Sequence, residues 1–127
     1  MSYKNLGSVP VYQKAQSLYE LSRHLASYIS FNKDLVKLYH SNSLRDSIAG
    51  SILTDSQLIA SSITKALSSN SHKDRVQNAT YINVMIRNLN SYCMGLEKDG
   101  VKEKEYVNLM RKEVKSFRSA FKKWNDS

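Results

Sequence analysis

Apolar residues recur along this chain at the alternating three- and four-residue spacing that is typical of helices packed in a bundle. The spacing is unbroken in two segments and predicts helices over about residues 72–94 and 102–124. The residues of these two apolar stripes are Ala79, Ile82, Ile86, Leu89, Cys93 and Leu96, followed by Val107, Met110, Val114, Phe117, Phe121 and Trp124. Two earlier segments, about residues 10–30 and 44–67, carry similar stripes, so the sequence predicts four long helices.

Capping residues and glycines indicate where these helices begin and end. Ser8 is a candidate N-cap before Pro10, and proline suits a first helical turn because its missing N–H would have no partner there. Ser71 is placed to cap the third helix. Gly95 and Gly100 are expected to bracket the end of that helix.

The segment between the first two predicted helices interrupts their register. Phe31, Leu35 and Leu38 nevertheless share one helical stripe, which predicts a short helical turn within this connection. The other connections are short, and consecutive helices joined by short connections pack side by side. We therefore expect an all-α, antiparallel up-down-up-down four-helix bundle that occupies residues 1–127 as a single domain.

The composition agrees with a helical protein that contains one core. Of the 127 residues only one is proline and four are glycine, which argues against a turn-rich β sandwich or barrel. No apolar run approaches the roughly 20 residues that span a bilayer, and the first 30 residues lack the apolar block of a signal peptide. We therefore expect a cytoplasmic protein with no membrane partner.

Motifs for catalysis, cofactors and metals are missing from the sequence. Cys93 is the only cysteine, so the chain can form neither an internal disulfide nor a site with several thiolate ligands. It has no paired Glu-x-x-His motifs of a di-iron bundle, no glycine-rich phosphate loop and no nucleophile elbow. The prediction is a protein that is not an enzyme, with no catalytic residue, no metal site and no cofactor.

The strongest charge pattern lies on the fourth predicted helix. The chain has a formal net charge of +8, and this helix carries six Lys or Arg residues between positions 111 and 123 with a single acid, Glu113. Five cations on one side of it, here named the cationic row, are Lys104, Arg111, Lys115, Arg118 and Lys122. Lys112 and Lys123 lie further round the helix. Cations one turn apart can follow nucleic-acid phosphates, so we expect RNA or DNA to bind here; the alternative is a solvated face that serves solubility.

A second apolar face on the third predicted helix indicates self-association. It lies opposite the Ile82–Leu89 stripe and consists of Tyr81, Val84, Met85, Asn88 and Tyr92. A helix that is apolar on both sides is usually buried on both sides, and a single bundle would leave one of them in water. We therefore expect a homo-oligomer with these residues at the interface; the alternative is an exposed tyrosine-rich surface.

Arg87 lies on the shoulder of the same helix, beside its apolar stripe. Two interpretations are open for this residue. In the first, Arg87 forms a structural ion pair across a groove with Asp55, which lies at the edge of the second helix's stripe. In the second, Arg87 contributes to an anion-binding surface together with the cationic row.

Several segments of the chain resemble a family of small four-helix bundles. Val9–Ala15, with the sequence VPVYQKA, is similar to the family's opening, and Ser43–Ser47 to the start of its second helix. Ile86–Leu89 resembles an LRL-like motif of its third helix, and Phe117–Trp124 its last helix, which has a tryptophan near the end. The family includes the accessory variability determinant of diversity-generating retroelements and the proteins encoded in 23S rRNA intervening sequences.

The resemblance to the retroelement accessory protein implies a pentameric, barrel-like ring with a basic surface. It also implies a protein that binds reverse transcriptase together with template RNA or cDNA and supports mutagenic reverse transcription. Arg87 matches the family's arginine in its third helix, and the cationic row with Lys112 and Lys123 matches its basic terminal half. The alternative is an intervening-sequence-type protein with a structural or protein-interaction role.

Overall fold

The computed structural model describes residues 7–126, which fold into five α-helices and contain no β-strand. The helices are α1, Pro10–Ile29; α2, Leu35–His40; α3, Leu44–Ser68; α4, His72–Lys98; and α5, Lys104–Asn125. The prediction of an all-α protein is therefore confirmed, and the short turn predicted in the first connection is helix α2. No helix in the described part of the chain is long and apolar enough to cross a membrane.

The starts of α1 and α4 are stabilised in different ways. The hydroxyl of Ser71 accepts a hydrogen bond from the backbone N–H of Asp74 at 3.3 Å, as expected for the predicted cap of α4. The N-cap of α1 is Val9 rather than Ser8, and the apolar side chain of Val9 makes no capping hydrogen bond. Pro10 in the first turn reduces the need for a cap, because it has no N–H to satisfy.

Helix α4 extends beyond the end that its glycine residues predict. It continues through Gly95 to Lys98, and the chain turns at Gly100, whose φ of 74° favours glycine. A Cβ atom at position 95 would lie 3.0 Å from Cδ1 of Ile48 on α3. Gly95 therefore lets α3 and α4 approach closely and does not end the helix.

The long helices pack around one core. Helix α1 contacts α3 and α5, α4 contacts the same two helices, and α2 lies on α3. The predicted apolar stripes of α4 and α5 are buried in this core, except that Trp124 is half-buried at its edge. Ser22 is also buried, and its hydroxyl is satisfied because it donates to the carbonyl oxygen of Leu18 at 2.7 Å.

A buried carboxylate holds the connection between α1 and α3. Asp46 is only 2% exposed and accepts hydrogen bonds from Nζ of Lys33 at 2.5 Å and from Oγ of Ser41 at 2.7 Å. The hydrogen bond from Lys33 lowers the pKa of Asp46 below its usual value, although burial acts in the opposite direction. Lys33 precedes α2 in the chain and Ser41 follows it, so this one carboxylate holds both ends of the short helix.

Only one residue of the predicted stripe in this connection is buried. Leu38 packs on α3 beside Gly50, whereas Phe31 and Leu35 are exposed. The chain turns after the end of α1 at Phe31 and Asn32, which have φ values of 57° and 63°. This left-handed turn separates Phe31 from the register of α2, which explains why the stripe is not continuous.

Candidate nucleic-acid interface

The exposed side of α5 carries the cationic row with one exception. Four of its members are exposed and form no ion pair within residues 7–126: Lys104, Lys115, Arg118 and Lys122. Arg111 is half-buried, and its guanidinium pairs with the carboxylate of Glu97 on α4. Lys112 and Lys123 are exposed outside the row. The charge of Arg111 is therefore compensated within the chain, while the other charges of the row face solvent.

A groove between α4 and α5 brings Arg87 and Arg118 together. It has a volume of about 300 Å³ and is lined by Asn83, Ile86, Arg87, Asn90 and Arg118. Both arginines are exposed, and neither forms an ion pair with another described residue. No carboxylate is among the residues that line the groove. The groove thus contains two guanidinium groups whose charges are not compensated by its walls.

This arrangement suits a phosphate group. Guanidinium groups donate paired N–H hydrogen bonds to phosphate oxygens, and the side-chain amides of Asn83 and Asn90 are further donors in the same groove. Contacts of this kind position a nucleic-acid backbone and carry no base specificity. Because Arg118 belongs to both the groove and the cationic row, one backbone can contact both.

Asn83 and Asn90 were not among the site residues predicted from the sequence. They lie four residues before and three residues after Arg87, so all three share one side of α4. This spacing is the signal that could have identified them. Asparagine is common on solvated helix surfaces, however, and only the position of α5 reveals that this side faces another cation.

The structural ion pair between Arg87 and Asp55 is not formed. The carboxylate oxygen Oδ2 of Asp55 instead accepts hydrogen bonds from Oη of Tyr92 at 2.9 Å and from Nδ2 of Asn88 at 3.4 Å. Burial and this carboxylate together raise the pKa of Tyr92 to about 12. The geometry therefore favours the second interpretation of Arg87, in which it is part of a cationic surface.

The predicted oligomer face of α4 is partly occupied within the chain. Met85 is 3% exposed and lies in the core, and Asn88 and Tyr92 are half-buried against α3. Tyr81 and Val84 are 63% and 40% exposed. The buried arc of α4 is wider than its apolar stripe because this helix packs against both α3 and α5. Of the five residues predicted at the oligomer interface, only Tyr81 and Val84 are therefore exposed enough to contact a partner.

A contact that the sequence did not indicate joins the start of α4 to the end of α5. Nη2 of Arg75 donates a hydrogen bond to the carbonyl oxygen of Trp124 at 2.8 Å. The guanidinium carbon also lies 4.3 Å from the centroid of the Trp124 ring, within cation–π distance. This double contact positions the end of α5, which carries Lys122 and Lys123.

The described residues show no metal centre, and their cysteine is not activated. Within residues 7–126 no group of three or more His, Cys, Asp or Glu side chains is placed to hold a metal ion. Cys93 is buried, and burial raises the pKa of its thiol to about 11, so the thiolate form is disfavoured.

Comparison of the chain with models of protein families, with curated proteins and with solved structures found no match.

Proposed function

We propose that this chain is a non-enzymatic nucleic-acid-binding protein that holds a phosphate backbone against α4 and α5. The observation that carries this proposal is the convergence of Arg87 and Arg118 in one groove that no carboxylate lines. Like charges repel, so cations that serve only solubility gain nothing from sharing a groove. A bound phosphate removes the repulsion and forms charge-assisted hydrogen bonds with both guanidinium groups.

We also propose that the four long helices form an up-down-up-down bundle. Tyr28, near the end of α1, contacts Tyr106 in the first turn of α5, with 4.7 Å between the ring centroids. Arg75, near the start of α4, contacts Trp124 near the end of α5. Contacts between an early residue of one helix and a late residue of its neighbour support opposite directions for the two helices.

The narrower proposal is a role in a diversity-generating retroelement, and it rests on the family resemblance. In that role the protein binds reverse transcriptase and template RNA or cDNA as a homo-oligomer, which the resemblance implies is a pentamer. A reverse transcriptase gene with template and variable repeats beside this gene would support it. A gene embedded in a 23S rRNA gene would instead support the structural or protein-interaction role of the intervening-sequence type.

The nucleic-acid proposal is tested with the double variant Arg87→Gln/Arg118→Gln. A labelled RNA hairpin and a single-stranded DNA are titrated with the variant and the wild type over a range of salt concentrations. We expect five exposed cations without an ion pair to contact phosphates: Arg87 and the four members of the cationic row other than Arg111. Five such contacts predict a wild-type slope of log affinity against log salt concentration of roughly −3.5 to −4.5. Loss of two phosphate contacts should weaken binding at least tenfold and make the slope shallower by about 1.4 to 1.8.

A matched control is the double variant Lys37→Gln/Lys73→Gln, which removes the same charge from two exposed cations of α2 and α4 that form no ion pair within residues 7–126. It should bind nearly as well as the wild type, because neither cation belongs to the row or the groove. Equal losses in the two double variants would show that only net charge matters. Wild-type binding that does not respond to salt would contradict the proposed function.

A further inference from the structure

A second depression, here named the aromatic pocket, lies where the end of α1 meets the start of α5. It has a volume of about 510 Å³, and its walls include His24, Tyr28, Phe31, Asn32, Glu103 and Tyr106. Three aromatic rings and one carboxylate therefore surround a space of small-molecule size. None of these residues belongs to the cationic row or to the groove of Arg87 and Arg118.

The aromatic walls are fixed by the backbone and by each other. The rings of Tyr28 and Tyr106 contact each other in a tilted arrangement, with 4.7 Å between their centroids and 31° between their planes. Phe31 is 85% exposed, and the N–H of Asn32 donates to the carbonyl oxygen of Ser27 at 2.8 Å. Phe31 and Asn32 both have positive φ values, a conformation that costs free energy for residues other than glycine and is often found at functional sites. The turn thus keeps a large apolar ring in solvent at the rim of the pocket.

The carboxylate of Glu103 receives no hydrogen bond from the part of the chain that the structure describes. Its oxygen Oε2 is buried without a hydrogen-bond partner, and Glu103 forms no ion pair within residues 7–126. This is notable because Lys102 and Lys104 flank it in the sequence. A buried acceptor without a donor is costly, and the Glu103 side chain is only half-buried, so its rotation toward a ligand that carries N–H groups would relieve this cost.

A ligand that stacks on aromatic rings and donates N–H bonds to a carboxylate is planar and carries an amino or guanidinium group. Nucleobases and arginine side chains both have this chemistry. An arginine would bring a further positive charge to a chain of net charge +8, next to Lys102 and Lys104. A base of a nucleic acid is neutral, and its phosphates are attracted by the same surface. The charge of the protein therefore favours the base.

The pocket lies at the same end of α5 as the first member of the cationic row. Glu103 is the N-cap of α5 and Lys104 is the first member of the cationic row, whereas Tyr106, two residues later, lies on the other side of the helix against Tyr28. A strand whose phosphate contacts Lys104 therefore reaches Tyr106 by passing around the first turn of α5. Single-stranded nucleic acids bind in this way, with cations along the backbone and aromatic side chains against the bases.

We propose that the aromatic pocket receives an unpaired base that carries an exocyclic amino group. The base stacks on Phe31 or on the Tyr28–Tyr106 pair, and its amino group donates to Glu103. This inference rests on the nucleic-acid-binding function proposed above and adds a base preference to it. Cytosine presents an amino group where thymine presents a carbonyl oxygen, so the carboxylate should favour cytosine.

The test compares the binding of oligo(dC) and oligo(dT) of about 12 nucleotides, a length within the range of single-strand sites. The wild type should bind oligo(dC) at least fivefold more tightly than oligo(dT). The variant Glu103→Gln should bring this ratio close to one, because the amide can donate as well as accept, and should leave the salt dependence unchanged.

The aromatic wall is tested with Phe31→Ala and its matched control Tyr39→Ala. Both side chains are 85% exposed, so neither truncation should unfold the protein, and thermal unfolding checks this. Phe31→Ala should weaken the binding of both oligonucleotides at least fivefold through lost stacking, and Tyr39→Ala should not. Equal effects of the two truncations, or an unchanged dC/dT ratio in Glu103→Gln, would overturn the proposal.

Failure of the pocket and failure of the nucleic-acid function give different results. If binding depends on salt and on Arg87 and Arg118 but not on Phe31 or Glu103, only the pocket proposal falls. If the wild type binds neither oligonucleotide nor the RNA hairpin, the nucleic-acid function itself falls, and the base proposal with it. If N-acetylarginine amide binds in a Phe31-dependent manner while oligo(dC) and oligo(dT) bind equally, the pocket takes a cationic side chain, and the proposal of a base is wrong.

Discussion

At the scale of single residues, Asp46 shows how one buried charge can organise a connection. Its carboxylate accepts from Lys33 and Ser41, and its backbone N–H donates to Oγ of Ser43 at 3.4 Å, the N-cap of α3. The side chain of Lys33 is 39% exposed, whereas that of Asp46 is 4% exposed. The lysine therefore brings the compensating charge from solvent to a carboxylate that cannot reach water itself.

The variant Asp46→Asn should lower the free energy of unfolding by about 1 to 2 kcal/mol at pH 7, because the amide cannot replace a charge-assisted hydrogen bond to Lys33. The pKa of Asp46 is lower in the folded state than in the unfolded state, so its contribution is fully present above the unfolded value. The contribution disappears as the pH falls below about 4 and through the folded pKa. Urea denaturation at pH 7 and at pH 2.5 measures the difference.

A matched control for this prediction is Asp34→Asn. Asp34 is exposed and caps α2 through Oδ1, and asparagine caps a helix about as well as aspartate. This variant should change stability little at either pH. A loss in Asp46→Asn that persists at pH 2.5 would show that volume or hydrogen bonding, and not the charge of Asp46, stabilises the connection.

At the scale of helices, periodicity predicts the apolar stripes but not the consequences of contact between helices. Every position of the predicted α4 and α5 stripes up to Phe121 is buried, because a 3.6-residue repeat is a property of one helix. Met85 is predicted at an oligomer interface but is buried in the core, and Gly95 is predicted to end α4 but admits α3. Both differences arise from the contacts that α4 makes with α3 and α5. A glycine that ends a helix and a glycine that admits a neighbour look alike in a sequence.

The close contact of α3 and α4 gives a test at this scale. Gly95→Ala adds helix propensity of up to about 1 kcal/mol, but its Cβ would crowd Cδ1 of Ile48, which would lie 3.0 Å away. Ile48→Val removes that methyl group. Gly95→Ala should therefore stabilise the Ile48→Val protein by up to about 1 kcal/mol and the wild type by less. Chemical denaturation of the four proteins of this double-mutant cycle measures the coupling, and identical effects in both backgrounds would contradict a close contact at Gly95.

At the scale of the whole molecule, the sequence locates the cations of α5 but not the groove that they form with α4. The spacing of Arg118 along α5 is visible in one helix, whereas its meeting with Arg87 depends on the register of two helices. The same limit applies to the aromatic pocket, since Tyr28, Phe31 and Tyr106 lie on separate elements. The hydrophobic pattern of each helix is enough to predict the all-α class, whereas the groove and the aromatic pocket form only when several elements pack together.

Self-association remains a prediction at this scale, now centred on Tyr81 and Val84. Light scattering of the wild type should give a mass of two or more chains of 14.5 kDa each. The double variant Tyr81→Ser/Val84→Ser should shift the mass toward that of one chain, because both side chains are exposed in the single chain. Leu109→Ser on α5, which also removes an exposed apolar side chain, should leave the mass unchanged. A wild-type mass of one chain would contradict the prediction.

The contact of Arg75 with Trp124 has a practical consequence for optical spectroscopy. Trp124 is the only tryptophan of the chain, and its ring lies between Phe121, at 6.0 Å, and the guanidinium of Arg75. Fluorescence excited at wavelengths that only indole absorbs therefore originates at one known point, where the last turn of α5 rests on α4. Its emission maximum is an intrinsic, label-free gauge of fraying at that end of the molecule, remote in sequence from Phe31 and Glu103.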